Sequence, residues 1–395
     1  MKLRLCTRCV LPETHETISF DEYGVCSICR GQEIKSTLNW DEKLIELHEL
    51  VSSIPAGSDY DCLIPFSGGK DSTWTLWYAV VKLKLKPLVV SFDHSFYRPG
   101  LLENRERVLK KLGVDFLSFT PSWKVVRSLM LQSFLEKGDF CWHCHTGIFS
   151  YPMWVAIEKQ IPLILWGEPS SEYTSYYSYS DKEEVNETRF NRFVNLGINA
   201  QDMYERLSTQ IELRDLKPFT YPNKAALASA GIRSVPLGSY IPWDVKKQVA
   251  VIQQELGWTG DEVEGVPAAY NYEKVECYMQ GVRDYIKYLK RGYSRVSHLT
   301  SIDIRNNQIS REEALKLITE YEGKKPASLY LFLEYINMTE EEFVEVVATH
   351  AISPWETPTL LQIGKKPKDF ESWPHRSGVE KKEQVLAFNN WLNEK

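Results

Sequence analysis

The chain has 395 residues, of which 43% are hydrophobic and 25% are charged, and these fractions are ordinary for a folded soluble protein. Its 47 Lys and Arg residues and 53 Asp and Glu residues give a net charge of −6, which argues against general nucleic-acid binding. The sequence has no apolar run long enough for a membrane span, and residues 1–6 lack the apolar block of a signal peptide. The length predicts two or three domains, and we expect a cytoplasmic protein whose cysteines are reduced unless they hold a metal.

Four of the eight cysteines form two close pairs near the start of the chain. The pairs are Cys6-x-x-Cys9 and Cys26-x-x-Cys29, with sixteen residues between them. This spacing is typical of a tetrahedral zinc site, in which each pair lies on a tight turn and four thiolates complete the coordination shell. Residues 18–25 predict a short strand and a turn at Gly24 that returns the second pair to the first. We therefore predict a zinc-ribbon-like structural module over residues 1–38; an iron–sulfur site and two disulfides are the alternatives.

A helix follows this module, and a buried strand follows the helix. Apolar residues recur at helical spacing over 39–51, and a Pro and Gly stretch then ends the pattern, so residues 39–60 are predicted to be a connecting helix. Residues 62–66 form an apolar run of strand length, and residues 73–81 have a helical pattern. A glycine turn joins the two.

The glycine turn reads Ser67-Gly68-Gly69-Lys70-Asp71-Ser72. Glycines adopt backbone conformations closed to other residues, and the first N–H groups of a helix have no partner of their own, so the turn can direct several donors at an anion. Lys70 adds a positive charge, while Asp71 can hold a magnesium ion or orient a reacting group. The turn lacks the spacing of a Walker-type loop. It resembles the loop of the N-type ATP pyrophosphatases, or PP-loop enzymes, which cleave ATP to AMP and pyrophosphate while adenylating an oxygen. An ordinary capped Gly-Gly turn is the alternative.

Strands and helices alternate after this turn. Residues 87–93, 114–119 and 161–166 read as strands, and residues 101–112, 123–135 and 146–158 read as helices. Such alternation predicts an α/β fold, a parallel sheet with helices on both faces. We place this domain over residues 61–240, and the resemblance of its loop implies the PP-loop fold, which is adenine nucleotide alpha hydrolase-like.

The ATP site is predicted at the edge of this sheet, because ligands of open parallel sheets bind at the carboxyl ends of the strands. The crevice would be formed by residues 67–72, Phe92, Asp93, Gly167 and Glu168. Backbone groups at Phe92 and Asp93 are placed to recognise the adenine, and Glu168 or Glu172 is placed to bind magnesium. For each acid, a helix cap or a solvated loop charge is the alternative.

A third close cysteine pair, Cys141 and Cys144, precedes a predicted helix. It can serve in metal binding, in redox chemistry or in packing. Together with Cys277 it can hold an iron–sulfur cluster with one open iron, as in the ATP-dependent thiolases that modify tRNA. His143 and His145 are candidates for binding substrate or for transferring a proton, and packing is an equal alternative for both.

The remainder of the chain, residues 241–395, is predicted to be a mainly helical region that binds substrate or a partner. Apolar positions recur at helical spacing from 274 to 291. Guanidinium groups bind phosphate oxygens in pairs, so the arginines near this helix end suit the diphosphate of a substrate. They are Arg283, Arg291 and Arg295. A solvated basic helix end is the alternative.

Three further segments complete the pattern. Capping boxes at Ser310 and Thr339 predict the starts of two amphipathic helices, and residues 385–392 predict a short one. Residues 178–210 are polar, charged and aromatic, and we expect this segment to cover the active site.

Several blocks, taken together, resemble the N-acetyl sugar amidotransferases of surface-polysaccharide biosynthesis, which includes lipopolysaccharide O-antigen and nonulosonic acid. The blocks are the N-terminal cysteine pairs, residues 67–72, Cys141-Trp142-His143-Cys144-His145-Thr146-Gly147, Trp166-Gly167-Glu168, and residues 274–285 and 290–295. The resemblance therefore covers most of the chain.

This resemblance implies an ATP-dependent amidotransferase that forms AMP and pyrophosphate. An acetamido group on a nucleotide-linked N-acetyl sugar becomes an acetamidino group through an adenylylated imidate. Lys70 and Asp71 would be catalytic, and ATP, Mg²⁺ and a structural Zn²⁺ would be the cofactors. No part of the sequence resembles a glutaminase, so ammonia is expected from a partner, and family members are associated with glutaminase and cyclase-like subunits. The alternatives are a tRNA thiolase with a cluster on Cys141, Cys144 and Cys277, and a non-catalytic module that binds zinc and nucleotide.

Overall fold

The computed structural model of the chain describes residues 3–55, 57–173, 177–179, 181 and 183–358. The chain divides into two compact units. The first, here called the cysteine unit, comprises Met1–Leu38, Ser170–Asp181 and Gly260–Lys395, and the second, here called the sheet unit, comprises Asn39–Pro169 and Lys182–Thr259. The predicted division into domains after residues 38, 60 and 240 stays a prediction.

The strands are β1 Cys62–Pro65, β2 Pro87–Phe92, β3 Asp115–Phe119, β4 Leu163–Trp166 and β5 Arg233–Pro236. The helices are α1 Ser27–Thr37, α2 Trp40–Ser52, α3 Lys70–Trp77, α4 Pro99–Leu112, α5 Trp123–Lys137, α6 Trp142–Glu158, α7 Ser170–Tyr173, α8 Glu187–Arg189, α9 Ala200–Leu207, α10 Lys224–Ala230, α11 Val245–Leu256, α12 Gln280–Arg291, α13 Arg295–Arg305, α14 Arg311–Tyr321, α15 Leu329–Ile336 and α16 Glu340–Thr349. Short 3₁₀ and π segments join some of them.

The sheet unit is built on a parallel sheet whose strand order is β3-β2-β1-β4-β5. In the central strand, Leu63 and Ile64 are both fully buried, although consecutive strand side chains point to opposite faces. Both faces are therefore covered, which confirms the predicted fold class. The first four strands lie where the sequence predicts them, whereas β5 was not predicted.

Two helices place the carboxyl edge of the sheet. Helix α6 lies against β1, β2 and β4, and it approaches β2 closely because Gly147 has no side chain. A Cβ at Gly147 would lie 2.2 Å from Cζ of Phe92. Helix α3 lies against β1 and β4, and α11 packs on α3. The start of α6 lies near the end of β2, and the start of α3 follows the end of β1. Both helix starts are therefore at the carboxyl edge of the sheet.

The cysteine unit has its core at the four N-terminal cysteines, which pack with Tyr293. Isolated antiparallel bridges join Leu5 to Pro12 and Phe20 to Cys26, so the strand predicted over 18–25 is reduced to a single bridge. The predicted turn at Gly24 is present, with a φ of +73°.

Helices α12 to α16 belong to the same unit. Ser310 and Thr339 both form the predicted capping boxes. Helix α12 begins at Gln280 instead of 274, because Lys274 has a φ of +50°, which a right-handed helix does not allow. The helix predicted over 385–392 lies outside the described residues. Among the described residues, no helix combines the length and apolar character needed to cross a membrane.

Candidate functional site

The glycine turn connects β1 to α3 at the carboxyl end of the sheet. Gly68 has a φ of +91°, a backbone conformation that other residues rarely adopt. The hydroxyl oxygens of Ser67 and Ser72 lie 3.2 Å apart. They accept hydrogen bonds from the N–H of Gly69 at 3.1 Å and of Gly68 at 3.2 Å, respectively. The turn therefore gathers backbone donors and hydroxyl groups, which are the groups that hold phosphate oxygens in proteins.

Two side chains that the sequence analysis missed support this turn. Trp258, which is 1% exposed, donates its indole N–H to the carbonyl oxygen of Gly68 at 3.0 Å. Arg105 packs against the same glycine, because a Cβ at Gly68 would lie 3.2 Å from Cγ of Arg105. The Arg105 guanidinium lies 5.1 Å from the ring centre of Tyr97 and 4.9 Å from that of Phe116. No local pattern identifies these residues, since Trp258 is 190 positions from Gly68.

Lys70 and Asp71, the residues predicted to be catalytic, form an ion pair at the start of α3. The distance from Lys70 Nζ to Asp71 Oδ2 is 2.7 Å, and Lys70 is only 5% exposed. Asp71 Oδ1 is buried and has no hydrogen-bond partner among the described residues. Magnesium takes carboxylate oxygens as ligands, and a buried oxygen without a donor is suited to that role. These two residues therefore fit a magnesium ion with its phosphate.

The loop after β2 begins with Asp93, which is fully buried. Its carboxylate accepts hydrogen bonds from the Ser95 N–H at 2.8 Å and from the Thr120 hydroxyl at 2.9 Å. The N–H of Asp93 donates to the Phe119 carbonyl oxygen at 2.8 Å, and the Phe92 carbonyl oxygen accepts from the Tyr97 hydroxyl at 3.1 Å. Asp93 therefore fixes the shape of this loop, and recognition of adenine by Phe92 and Asp93 stays a prediction.

His143 lies buried in the first turn of α6 and is 2% exposed. Neither ring nitrogen makes a hydrogen bond of ordinary geometry to a described residue. Burial, together with the nearby His94, lowers the pKa of His143 to about 3, so the imidazole is neutral at physiological pH. His145 is half-buried. A role in substrate binding stays a prediction for both histidines.

Cys141 and Cys144 are half-buried at the same end of α6, in the sheet unit. Cys277 is also half-buried but belongs to the cysteine unit. A metal site on these three cysteines therefore stays a prediction.

The end of β4 meets the start of α3. A Cβ at Gly167 would lie 3.1 Å from the Thr75 hydroxyl and 3.5 Å from the carbonyl oxygen of Asp71. The structure thus brings Gly167 to the glycine turn, with the half-buried Glu168 beside it. Glu172 lies in the cysteine unit, where its carboxylate pairs with Lys35 at 2.6 Å and accepts a hydrogen bond from Tyr179. Magnesium binding by Glu168 or Glu172 stays a prediction.

The N-terminal cysteines form a group that fits a tetrahedral metal. The sulfur atoms of Cys6, Cys9, Cys26 and Cys29 all lie within 4.8 Å of one another, and all four residues are fully buried. The sulfurs of Cys6 and Cys29 are 4.0 Å apart, and those of Cys9 and Cys26 are 3.8 Å apart. A zinc ion with Zn–S bonds of about 2.3 Å requires sulfurs separated by about 3.8 Å. These distances are far too long for disulfides, whose S–S bonds are about 2.0 Å. The geometry therefore fits a closed four-sulfur metal site.

The three arginines predicted to bind a diphosphate lie in the cysteine unit. Arg291 and Thr14 exchange hydrogen bonds, each from a side chain to the other's carbonyl oxygen, at 2.5 Å. Arg295 pairs with Asp284 at 3.1 Å, and Arg283 is half-buried. Arg291 thus fastens the N-terminal module to α12. Substrate binding by these arginines stays a prediction.

The C-terminal part of the chain matches a known protein family. The fold and the glycine turn define an α/β protein with a glycine-rich turn between the first strand of its parallel sheet and the helix that follows. Residues 264–380 match the family described as LPS biosynthesis protein WbpG-like, C-terminal domain. This match covers less than a third of the chain, so the similarity to WbpG-like proteins concerns the C-terminal part alone.

Individual proteins and solved structures share limited similarity with the chain. An uncharacterized protein from Methanocaldococcus jannaschii is 31% identical over 114 residues, which are 28% of this chain and 41% of that protein. The chain thus spans less than half of that curated relative. NMN synthetase from Francisella tularensis has a TM-score of 0.37 and 12% identity, covering 72% of this chain and 93% of that one. The U34-tRNA thiolase NcsA from Methanococcus maripaludis, solved with its 4Fe-4S cluster, has a TM-score of 0.31 and 11% identity, covering 82% and 88%. Neither similarity is high enough to carry an argument.

Proposed function

We propose that this protein is an ATP-dependent amidotransferase of surface-polysaccharide biosynthesis. It would convert the acetamido group of a nucleotide-linked N-acetyl sugar to an acetamidino group. The observation that carries the proposal is the glycine turn, with Gly68 at a φ of +91° and Lys70 and Asp71 paired at the start of α3. The sequence resemblance to N-acetyl sugar amidotransferases and the WbpG-like C-terminal domain support the choice of substrate.

The reaction has two steps. The amide oxygen of the acetamido group attacks the α-phosphorus of ATP, pyrophosphate leaves, and the amide nitrogen loses its proton. This step converts an amide, which is a poor electrophile, into an O-adenylyl imidate. Ammonia then attacks the imidate carbon, AMP leaves with the oxygen, and the product is an amidine. Catalysis in such a reaction consists mainly of positioning and of stabilising the charge on the phosphates.

The residues of the glycine turn supply that stabilisation. The backbone donors at Gly68 and Gly69 would bind phosphate oxygens in place of the serine hydroxyls that they now contact. Lys70 would neutralise charge on the departing pyrophosphate. When bound, Mg²⁺ would neutralise phosphate charge, with the buried Oδ1 of Asp71 as its protein ligand.

Ammonia would come from a partner glutaminase, as the family resemblance implies, with a cyclase-like subunit associated. The group at Cys6, Cys9, Cys26 and Cys29 would hold a structural Zn²⁺, because a closed four-sulfur site leaves no position for substrate. Such a site contributes folding free energy and no chemistry.

The test is mass spectrometry of nucleotide-linked N-acetyl sugars incubated with the protein, Mg-ATP and ammonium. We expect a product one mass unit lighter, formed together with AMP and pyrophosphate. The Lys70→Ala/Asp71→Ala variant should form none. A matched control is the Lys43→Ala/Glu46→Ala variant, which removes an ion pair of 3.0 Å from the surface of the same unit and should keep full activity.

Two outcomes would contradict the proposal. One is an unchanged sugar across a broad panel while sulfur enters tRNA after cluster reconstitution, which would favour the thiolase. The other is the absence of pyrophosphate release with every substrate, which would favour a non-catalytic binding module.

A further inference from the structure

Four cationic side chains lie on two consecutive helices of the cysteine unit and are here called the basic cluster. They are Lys287 and Arg291 of α12 and Arg295 and Arg305 of α13. Lys287 and Arg291 are four residues apart and therefore lie on the same face of α12. Both point at one carboxylate, since Lys287 Nζ and Arg291 Nε each lie 3.4 Å from Oε1 of Glu16.

The carboxylates within ion-pair distance do not balance this cluster. Among the described residues they are Glu16 and Asp284, and Asp284 is paired with Arg295 at 3.1 Å. Arg305 donates to the Ser301 hydroxyl at 3.1 Å and makes no ion pair with a described carboxylate. Lys287 and Arg291 thus share one carboxylate, and the side chains of Lys287, Arg291 and Arg295 are partly removed from water.

The fields of these cations overlap at two histidines. Burial lowers the pKa of His15 to about 4. The neighbouring Glu16 opposes this shift in pKa, and the smaller effects of Lys287, Arg291 and Arg305 act with burial. Burial and the charges of Lys287 and Arg295 hold the pKa of His298 well below its usual value. Both imidazoles are therefore neutral. Like charges gathered in a poorly solvated place repel one another strongly, and a bound anion removes that cost.

A cavity adjoins the basic cluster. It has a volume of about 390 Å³. Its lining includes Asp284, which pairs with Arg295, and Ser294, which precedes Arg295 in the sequence. Tyr285 and Tyr288 of α12 contribute to other walls, as do three further acidic residues, Glu262, Glu264 and Glu322. Cavities of this size hold small molecules, and hydroxyl-rich ligands pair well with tyrosine rings and carboxylates. The basic cluster thus lies beside a cavity that is polar, aromatic and acidic.

We propose that the basic cluster binds the diphosphate of a sugar-linked diphosphate, with the sugar in the adjoining cavity. The diester carries two negative charges, and guanidinium groups bind phosphate oxygens in pairs. In the free protein, the carboxylate of Glu16 occupies part of the proposed diphosphate site. The inference rests on the proposed function for the identity of the ligand, and it adds Lys287 and Arg305 to the substrate-binding residues.

The experiment uses the full chain in the Lys70→Ala/Asp71→Ala background, so that the ATP site does not contribute. Calorimetry measures the binding of UDP-N-acetylglucosamine in one arm. A second arm uses vesicles that carry polyprenyl-diphosphate-linked N-acetylglucosamine. Arg305→Gln and Lys287→Gln should each weaken binding about tenfold, the usual loss of one charge-assisted hydrogen bond. Arg305→Lys should retain part of the affinity, and Glu16→Gln should increase it.

The control is Lys316→Gln, an exposed lysine in α14 of the same unit, which should bind as the parent does. Melting curves of each variant show that it is folded. Binding in either arm that falls with Arg305→Gln supports the inference, and binding in the vesicle arm alone changes the carrier from nucleotide to lipid. Binding that is unchanged by both Arg305→Gln and Lys287→Gln overturns it. Failure of the amidotransferase reaction with binding intact refutes the proposed function alone.

Discussion

The substitution Gly68→Ala tests whether the glycine turn is both strained and closely packed. The φ of +91° at Gly68 costs a residue with a side chain about 1–2 kcal/mol. The new Cβ would also lie 3.2 Å from Arg105 Cγ and 3.3 Å from Leu101 Cδ1. Crowding of this kind adds about 1–2 kcal/mol. We therefore expect a loss of roughly 2–4 kcal/mol in the free energy of unfolding.

The chain offers a matched control in Gly57. Its φ is +95°, but a Cβ there would meet no atom within 4 Å. Gly57→Ala should therefore lose only the backbone term of about 1–2 kcal/mol. Urea unfolding of both variants at one temperature gives the difference directly. Because each kcal/mol moves the melting temperature of a unit of roughly 210 residues by about 2–4 °C, the Gly68 variant should also melt several degrees below the Gly57 variant.

A second readout separates packing from function. Gly68→Ala should abolish ATP-dependent release of pyrophosphate, since the added methyl group displaces the turn that holds the phosphates, while Gly57→Ala should keep it. Equal destabilisation of the two variants would show that Arg105 and Leu101 do not confine the turn. Full ATP-dependent activity in Gly68→Ala would refute the assignment of the turn as the phosphate site.

Three other predictions concern the metal group, the magnesium ligand and pH. Cys9→Ser should lose the bound metal and melt at a lower temperature. Cys62→Ser, which changes another buried cysteine, should keep the metal in elemental analysis. A Cys9→Ser variant that keeps the metal would contradict the four-sulfur site. Asp71→Asn should slow AMP formation about 100-fold or more at every Mg²⁺ concentration, and rescue by excess Mg²⁺ would point to a weaker role. The cysteine unit should lose up to about 3 kcal/mol of stability as the pH falls from 6.5 to 4, because burial lowers the pKa of His15 to about 4 and the unfolded chain binds that proton first. Urea unfolding at each pH should show a shallower slope for His15→Gln and no change for the exposed His48→Gln; identical slopes would exclude His15 as the cause.

The parts of the fold that the sequence predicts are those with a strong local pattern. Strands β1, β2 and β4 are buried apolar runs between turns, and the capping boxes at Ser310 and Thr339 are complete within four residues. Strand β5 escapes prediction because its sequence, Arg233-Ser234-Val235-Pro236, is not an apolar run, and because its conformation depends on pairing with β4. Tertiary pairing, which no short window contains, decides such a segment.

Residues 178–210 contain core residues that the sequence does not reveal. Their polar and charged composition predicts a cover over the active site, yet the described part contributes Phe190, Met203 and Leu207 to hydrophobic cores of the sheet unit. Scattered apolar residues in a polar segment carry too little periodicity to be recognised as core. Whether the segment also covers the site stays a prediction.

The candidate site also contains residues that a local pattern predicts and residues that it does not. The glycine turn and the cysteine pairs are predictable because residues close together in the sequence form each of them, at a spacing typical of its chemistry. Trp258, which holds Gly68, and Glu16, which faces Lys287 and Arg291, act across 190 or more positions of the chain. Only the folded chain brings these residues together, so the basic cluster reads in the sequence as an ordinary charged helix end.

The metal group and the basic cluster are physically connected, and this connection gives the N-terminal module a role beyond its own folding. Glu16 lies between the two cysteine pairs in sequence, and Arg311 donates to the carbonyl oxygens of Cys9 at 2.9 Å and Cys6 at 3.3 Å. The exchange of hydrogen bonds between Thr14 and Arg291 adds a further link. Because a four-sulfur module of about thirty residues is folded largely by its metal, loss of the metal would release Glu16 and Thr14 from α12. If the basic cluster binds a diphosphate as proposed, the four-sulfur site would set the position of the carboxylate that competes with it, and so control its binding from outside the site.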